Sequence, residues 1–233
     1  LYSSRKADVD TGPRVLPEIE AVDAGITAQF VYDTRDKAFT PTRGLAATVE
    51  YMYTADSLGA DRDWQRLEAG ARFALPLRGD VIWLAAAGGS NLGSDLPPDR
   101  FFTLGGPGSF PGLELTQYRA PEYWTVSGSY LWKFADIQTL RGESMYIGAQ
   151  IQGGAIANWL KGLQIGPDGP DFQSVDDPQL ESIYGGSLYL TGRTRVGPMT
   201  LGVGATSEST WTLWFAVGRP VGQGTIMERG IFR

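Results

Sequence analysis

The 233-residue sequence contains no cysteine and no histidine. Disulfides, Cys- or His-ligated metals, thiol nucleophiles and Ser-His-Asp chemistry are therefore excluded, whereas carboxylate metal sites are not. No apolar run approaches the ~20 residues that a membrane helix needs. No Gly-x-Ser-x-Gly elbow is present, and the glycine-rich stretch 105–112 lacks the Lys-Ser/Thr of a phosphate loop. Basic residues are the minority, with a net charge of −6, which argues against nucleic acid as a partner. The opening Leu1-Tyr2-Ser3-Ser4-Arg5-Lys6 has no apolar h-region. The expectation is that the chain starts inside a larger precursor or is a mature fragment. Its length suits one large domain, read here as a single unit over 1–233 with no boundary or low-complexity tract.

What the sequence has in quantity is glycine (31), tyrosine (10) and tryptophan (7), set in period-two alternation. From Gly25 to Asp33, Ile26, Ala28, Phe30 and Tyr32 share one face, with Thr27, Gln29 and Asp33 opposite. Leu45, Ala47, Val49, Tyr51 and Tyr53 form the next such face, then Leu67, Ala69, Ala71, Phe73 and Leu75 against Arg66, Glu68, Gly70 and Arg72. The pattern returns over 124–134, 145–152, 188–193, 199–206 and 211–217, and this periodicity predicts strands. Residues 80–90 are apolar on both faces and give the least clear strand. Residues 1–10 have room for the end of a tenth.

Two architectures accommodate such strands. In a soluble sandwich the apolar face packs on a second sheet. In an outer-membrane barrel it faces lipid, and the polar face lines the interior. Several segments run to about 10 residues, the length of a tilted span. Aromatics gather near strand ends (Tyr51, Tyr53, Tyr123, Trp124, Trp132, Phe134, Trp211), as an interfacial girdle does. The polar faces carry Glu68, Arg72, Lys133 and Arg193, which a dry core rejects. The reading is an all-β, antiparallel transmembrane β-barrel of about ten strands. Connections 11–20, 55–62, 91–120, 159–182 and 207–209 alternate with 34–43, 76–79, 135–143 and 196–198, and the first set holds the long members. Barrels place long loops outside the cell and short turns in the periplasm. The tail 220–233 follows the last strand and is read as periplasmic.

Three groups of residues carry the candidate functional features. The turn Asp33-Thr34-Arg35-Asp36, continuing to Pro41 and Gly44, suits an exposed, salt-bridged hairpin: Pro41 stops pairing and Gly44 frees the next strand. The segment near 93–118 contains Leu104-Gly105-Gly106-Pro107-Gly108-Ser109-Phe110-Pro111-Gly112-Leu113. Its small residues allow close backbone approach, and its flanking hydrophobics favour a packed loop over a free surface one. The strand containing Gly148, Gln150, Gln152 and Gly154 is the third. An acidic cluster (Asp168, Asp171, Asp176, Asp177, Glu181) matches no Ca²⁺ spacing and reads as a solvated loop. Glu68 and Arg72 read as lumen residues that tune pore electrostatics rather than catalyse.

Taken together, these motifs resemble the outer membrane protein 85 superfamily, the bacterial surface antigen barrels, over roughly residues 21–219. The 33–44 segment is similar to that family's periplasmic-turn signature, 102–113 to its inward-folding lumen loop, and 146–154 to the signature strand facing that loop. Five strands follow the loop, as in the family. The resemblance implies the C-terminal part of a sixteen-stranded barrel, located in the bacterial outer membrane. It implies a role in polypeptide translocation or insertion, or in anchoring an N-terminal passenger, with no enzyme activity and no cofactor. The partners implied are outer-membrane lipid and a translocated polypeptide, with homo-oligomerisation open. The alternative is a passive pore or structural barrel. The Leu-Gly-Gly lead-in and the tip resemble the barrels of patatin-like type Vd autotransporters. Two departures stand out: the tip reads Pro111-Gly112-Leu113 where the family commonly carries Arg-Gly-aromatic, and Gln152 stands where an acidic residue is usual. Losing both members of an ion pair together avoids leaving one charge unpaired in a confined site.

Overall fold

The computed structural model describes residues 2–7, 19–38, 40–115, 117–137, 143–157, 164–166, 169–171, 180–194 and 197–217. Ten strands form one antiparallel sheet in the order β1 (Tyr2–Ala7), β2 (Ile19–Asp33), β3 (Gly44–Thr54), β4 (Trp64–Leu77), β5 (Asp80–Ser90), β8 (Tyr123–Ile137), β9 (Glu143–Ala157), β12 (Leu180–Thr194), β13 (Gly197–Thr206) and β14 (Trp211–Val217). Two small hairpins lie outside it: β6 (Phe102–Leu104) with β7 (Tyr118–Ala120), and β10 (Gln164–Gly166) with β11 (Gly169–Asp171). Every sequence-predicted strand is present, and residues 2–7 supply the tenth. The two hairpins and the first half of β12 were not foreseen, because 182–187 (Ser-Ile-Tyr-Gly-Gly-Ser) does not alternate cleanly. Among the described residues no helix is long and apolar enough to cross a membrane.

Burial is inverted relative to a soluble protein. The apolar faces point outward: Phe30 is 62% exposed, Leu188 60%, Leu213 69% and Ile151 75%. The polar faces point inward, with Thr48, Glu68, Ser129, Gln152, Ser187 and Thr191 all buried. A large apolar side chain gains about 1.5–3 kcal/mol when withdrawn from water. Half a dozen left in water would cost on the order of 10 kcal/mol, comparable with a whole domain's stability. Lipid removes that cost, and an aqueous surface does not. Outward aromatics gather at both ends of the strands, with Tyr53, Trp124, Tyr184 and Trp211 at one end and Tyr32, Trp132 and Phe134 at the other. Tyr123 does not join them. It precedes outward-facing Trp124, so alternation turns it inward, where it is buried.

The inward face is curled around a filled interior. One cavity touches residues from β4, β5, β8, β9, β12, β13 and β14. Seven strands laid flat would span about 29 Å at ~4.8 Å spacing, too far for one small cavity to touch. Small residues make the room. On β5 the inward positions are Trp83, Ala85, Ala87 and Gly89, and a Cβ on Gly89 would lie 2.5 Å from the Phe102 ring. β5 therefore reads as apolar on both faces because its inner face carries packed loop side chains while its outer face meets lipid. On β9 and β13, Gly148 and Gly202 lie under the rings of Tyr189 and Trp214, where a Cβ would come within 2.3 and 2.4 Å. Aromatic rings laid over strand glycines protect the otherwise bare backbone.

The ends of the sheet differ. At one end, strands join through short turns, including Arg78-Gly79, where both residues have positive φ, as a two-residue type I′ hairpin requires. At the other end lie the longer connections, among them 91–122. β1 pairs only with β2, and β14 only with β13, among the described residues.

Candidate functional site: the lumen loop and its seat

The segment between β5 and β8 folds back over the inward face of the sheet. Its base is held by charge. Arg100 pairs with buried Asp23 of β2 and lies over the Trp64 ring, 5.4 Å from its centre. The Trp64 Nε1–H donates to Asp23 at 3.1 Å. Arg66 of β4 donates to the Arg100 carbonyl at 3.0 Å, pairs with Glu68 at 2.9 Å, and stacks 4.1 Å from the centre of Phe102. The Tyr123 hydroxyl donates to the other Glu68 oxygen at 2.8 Å. Around these charges pack Trp64, Leu96, Phe102, Leu104, Ala120, Tyr123 and Ile156. Glu68, expected to tune an open lumen, is instead covered by the loop base and satisfied there. Arg66 and Glu68, two apart on one strand face, could have been read as a pair. Asp23 and Arg100 are separated by 77 residues, and no local signal joins them.

The tip is held by apolar packing and hydrogen bonds, with no ion pair among the described residues. Gly105 and Gly106 turn the chain at φ +130° and +88°, and a Cβ on Gly105 would lie 2.0 Å from the Glu114 carbonyl oxygen. Phe110 and Leu113 pack on Ile183 of β12, with Tyr118 beside them. The Tyr118 hydroxyl donates to Glu208 in the β13–β14 turn; burial, then that bond and the charges of Glu208 and Glu181, push its pKa well up. Gly112, at φ +103°, lies flat on β13. Its N–H donates to the Thr212 hydroxyl at 3.2 Å, and its carbonyl accepts from the Thr210 hydroxyl at 2.9 Å. Gly204 faces it, and a Cβ there would lie 2.7 Å from the Gly112 nitrogen.

Gly148, Gln150, Gln152 and Gly154 all lie on the inward face of β9. Gln152 donates to the Pro111 carbonyl at 3.3 Å, Gln150 donates to Gln152 at 2.8 Å, and Ser129 donates to Gln150 at 3.2 Å. Gln152 and the loop tip thus meet through a neutral amide and a backbone carbonyl. Gly108 lines the cavity with Pro107 and Ser109.

The 33–44 turn lies at the other end. Arg35 grips Asp33 with two nitrogens, at 3.0 and 2.8 Å. The salt bridge therefore runs Arg35–Asp33 and not to Asp36. Asp36 accepts from the Thr42 hydroxyl, from the Thr42 N–H at 2.8 Å and from the Arg43 N–H at 3.2 Å. Burial alone would raise the Asp36 pKa, but these bonds, with Lys37 nearby, hold it below the usual carboxylate range. The Pro41 carbonyl accepts from Trp83 Nε1 at 2.8 Å, tying the turn to β5. Gly44 has φ +110°, and a Cβ there would collide with the Thr34 carbonyl oxygen. Of the acidic cluster, Asp168, Asp176 and Asp177 lie outside the described residues, as do the Asp171 and Arg193 side chains and the tail 220–233. No group of three metal-ligating residues occurs among the described ones.

An antiparallel sheet with an apolar outer face, a polar inner face and a long loop folded inside defines a transmembrane β-barrel of the outer-membrane type. Residues 17–148 match the Omp85 superfamily domain, more than half of the chain, and the chain belongs to that superfamily. Among solved structures it is similar to the crystal structure of BamA from Haemophilus ducreyi lacking POTRA domains 1-3. The TM-score is 0.63 at 14% identity, covering 85% of this chain and 42% of that one. The chain thus spans less than half the length of that relative. No curated protein matches it in sequence.

Proposed function

We propose that the chain is part of an outer-membrane barrel that inserts or translocates polypeptides in the bacterial outer membrane. The observation that carries this reading is the loop tip seated by Gly112 on β13 and β14, beside a last strand whose outer edge has no partner among the described residues. An unpaired strand edge offers a row of backbone donors and acceptors on which another strand can form. The loop occupies the interior next to it. In this reading 1–233 acts as one domain. The lumen-loop residues Leu104–Leu113 close the interior, Gly148, Gln150, Gln152 and Gly154 form the facing seat, and the Asp33–Gly44 turn fixes the periplasmic rim. Its partners are outer-membrane lipid and the translocated polypeptide. Homo-oligomerisation, and service as the anchor of the chain's own N-terminal passenger after the manner of patatin-like type Vd autotransporters, belong to the same proposal.

A passive pore is the second reading, favoured by the hydroxyl-lined interior (Ser127, Ser129, Ser187, Thr191, Thr200). The two separate when a photoreactive residue replaces Phe215 on β14 or Thr200 in the lumen of the full-length protein in cells. Covalent adducts to a client polypeptide, or to the protein's own upstream segment, are expected. No adduct at either site, together with steady conductance after reconstitution, would favour the pore.

A further inference from the structure

Between the loop tip and the walls of β4, β5, β8, β9 and β12–β14 lies a cavity of about 180 Å³. Arg72 enters it from β4, with its guanidinium 5.9 Å from the centre of the Trp83 ring. It makes no hydrogen bond and no ion pair among the described residues. Among the described residues no Asp or Glu lines the cavity. Three hydroxyls that line it, Ser109 on the tip and Ser187 and Tyr189 on β12, are buried and lack a partner. Ser187 is more than nine-tenths buried. Trp83 and Trp214 supply aromatic walls.

A confined cation without a counter-charge and a buried hydroxyl without a partner are each costly. Here they face the same space. Water can satisfy the hydroxyls but leaves the charge uncompensated. A guanidinium beside an aromatic ring keeps its outer N–H fork free, and that fork matches the two oxygens of a carboxylate or phosphate. We infer that this cavity is a binding site for an oxyanion, held by the Arg72 guanidinium and by the hydroxyls of Ser109 and Ser187. Its volume suits one carboxylate-bearing residue of an extended chain or a single phosphate, and it is below the range of drug-sized pockets. Ser109 belongs to the loop tip, so an occupied site ties the tip to β4 and β12.

The test uses the full-length protein in detergent micelles and reads tryptophan fluorescence, because Trp83 and Trp214 flank the site. One arm titrates inorganic phosphate. The other titrates a short peptide with a single glutamate among glycine and serine, against its glutamine counterpart. Saturable, salt-sensitive quenching is expected in at least one arm, and the arm that responds identifies the source of the oxyanion. Arg72→Gln is expected to weaken binding roughly tenfold or more, as loss of a charge-assisted bond does. Arg72→Lys keeps the charge and is expected to retain part of the affinity, so a merely misfolded Gln variant is recognised. Ser187→Ala is expected to weaken binding by a smaller factor. Absence of saturation in both arms, or equal affinity in wild type and Arg72→Gln, overturns the assignment.

Discussion

Gly112→Ala tests how the loop tip is seated. At φ +103° the residue occupies backbone space that an L-side chain enters at a cost of about 1–3 kcal/mol. The added Cβ would also lie 2.9 and 3.0 Å from the Ala205 backbone and 2.8 Å from Thr206 Cγ2. Ala205 of β13 is paired with Gly186 of β12 and Trp211 of β14, so its backbone cannot yield, and the tip must lift instead. Lifting breaks three bonds: Gly112 N–H to Thr212, Thr210 to the Gly112 carbonyl, and Gln152 to the Pro111 carbonyl. Each is worth a net of about 0.5–1.5 kcal/mol. These three bonds together supply only a few kcal/mol beside the packing of Phe110 and Leu113 on Ile183, and the substitution removes a large part of them. Since about 1.4 kcal/mol is a factor of ten, the unseated population rises tenfold or more. Single-channel recording of the full-length protein in planar bilayers reads this as a tenfold or larger rise in open events. Gly128→Ala is the control, because its Cβ would face outward and meet only Leu84 at 3.7 Å. Wild-type conductance from a folded Gly112→Ala protein would refute the seating argument.

Arg66→Met leaves buried Glu68 without its guanidinium and should cost about 3–5 kcal/mol, read as a lower urea midpoint in lipid vesicles; a double Arg66→Met, Glu68→Leu replacement should recover much of the loss. Leu188→Arg places a cation on the lipid face and should cost about 2–4 kcal/mol in the same assay, whereas Thr191→Ser on the inner face should change little. Asp36 has a lowered pKa in the folded state, so its contribution is complete above the ordinary carboxylate value of 3.8 and is lost as pH falls through the lowered one. Amide exchange in the 34–45 hairpin should accelerate as pH drops below about 4 relative to the intrinsic rate, and Asp36→Asn should flatten that dependence.

The barrel was legible in the sequence because a two-faced strand needs no long-range information: Ile26, Ala28, Phe30 and Tyr32 mark their face wherever their partners lie. The loop was legible from composition, since Gly105, Gly106 and Gly112 are needed at backbone angles and approaches that other residues resist. At the turn the sequence indicates a salt bridge but not its partners: Arg35 reaches Asp33, two residues back, while Asp36 accepts from Thr42 and Arg43. Tyr123 was placed in the girdle on type alone, though its parity with Trp124 already turned it inward. The base of the loop was not legible at all. Trp64, Asp23 and Arg100 come from three distant segments, and only the curl of the sheet brings them together.

The distribution of charge along the loop determines which part of it can move. At the base, Asp23, Arg66 and Glu68 are buried and Arg100 is partly so, and each is held by partners from another strand or from the loop. Separating one pair strands a charge in a confined space, at a cost of several kcal/mol that water reaches poorly. At the tip, Gln152 and the Gly112 backbone lose only neutral bonds, for which the adjoining hydroxyl-lined cavity offers replacements from water, and Phe110 and Leu113 lose apolar packing without stranding a charge. A rigid-body exit of the whole loop must break both sets, whereas a tip exit breaks only the weaker one. The bend for a tip exit falls at Gly105 and Gly106, the two positive-φ residues between Leu104, packed in the base, and Phe110, packed on Ile183. The tip carries no charged side chain from Gly105 to Leu113, whereas charge is concentrated where the loop enters the barrel. The loop is thereby fixed at its root and held at its end by bonds weak enough to exchange.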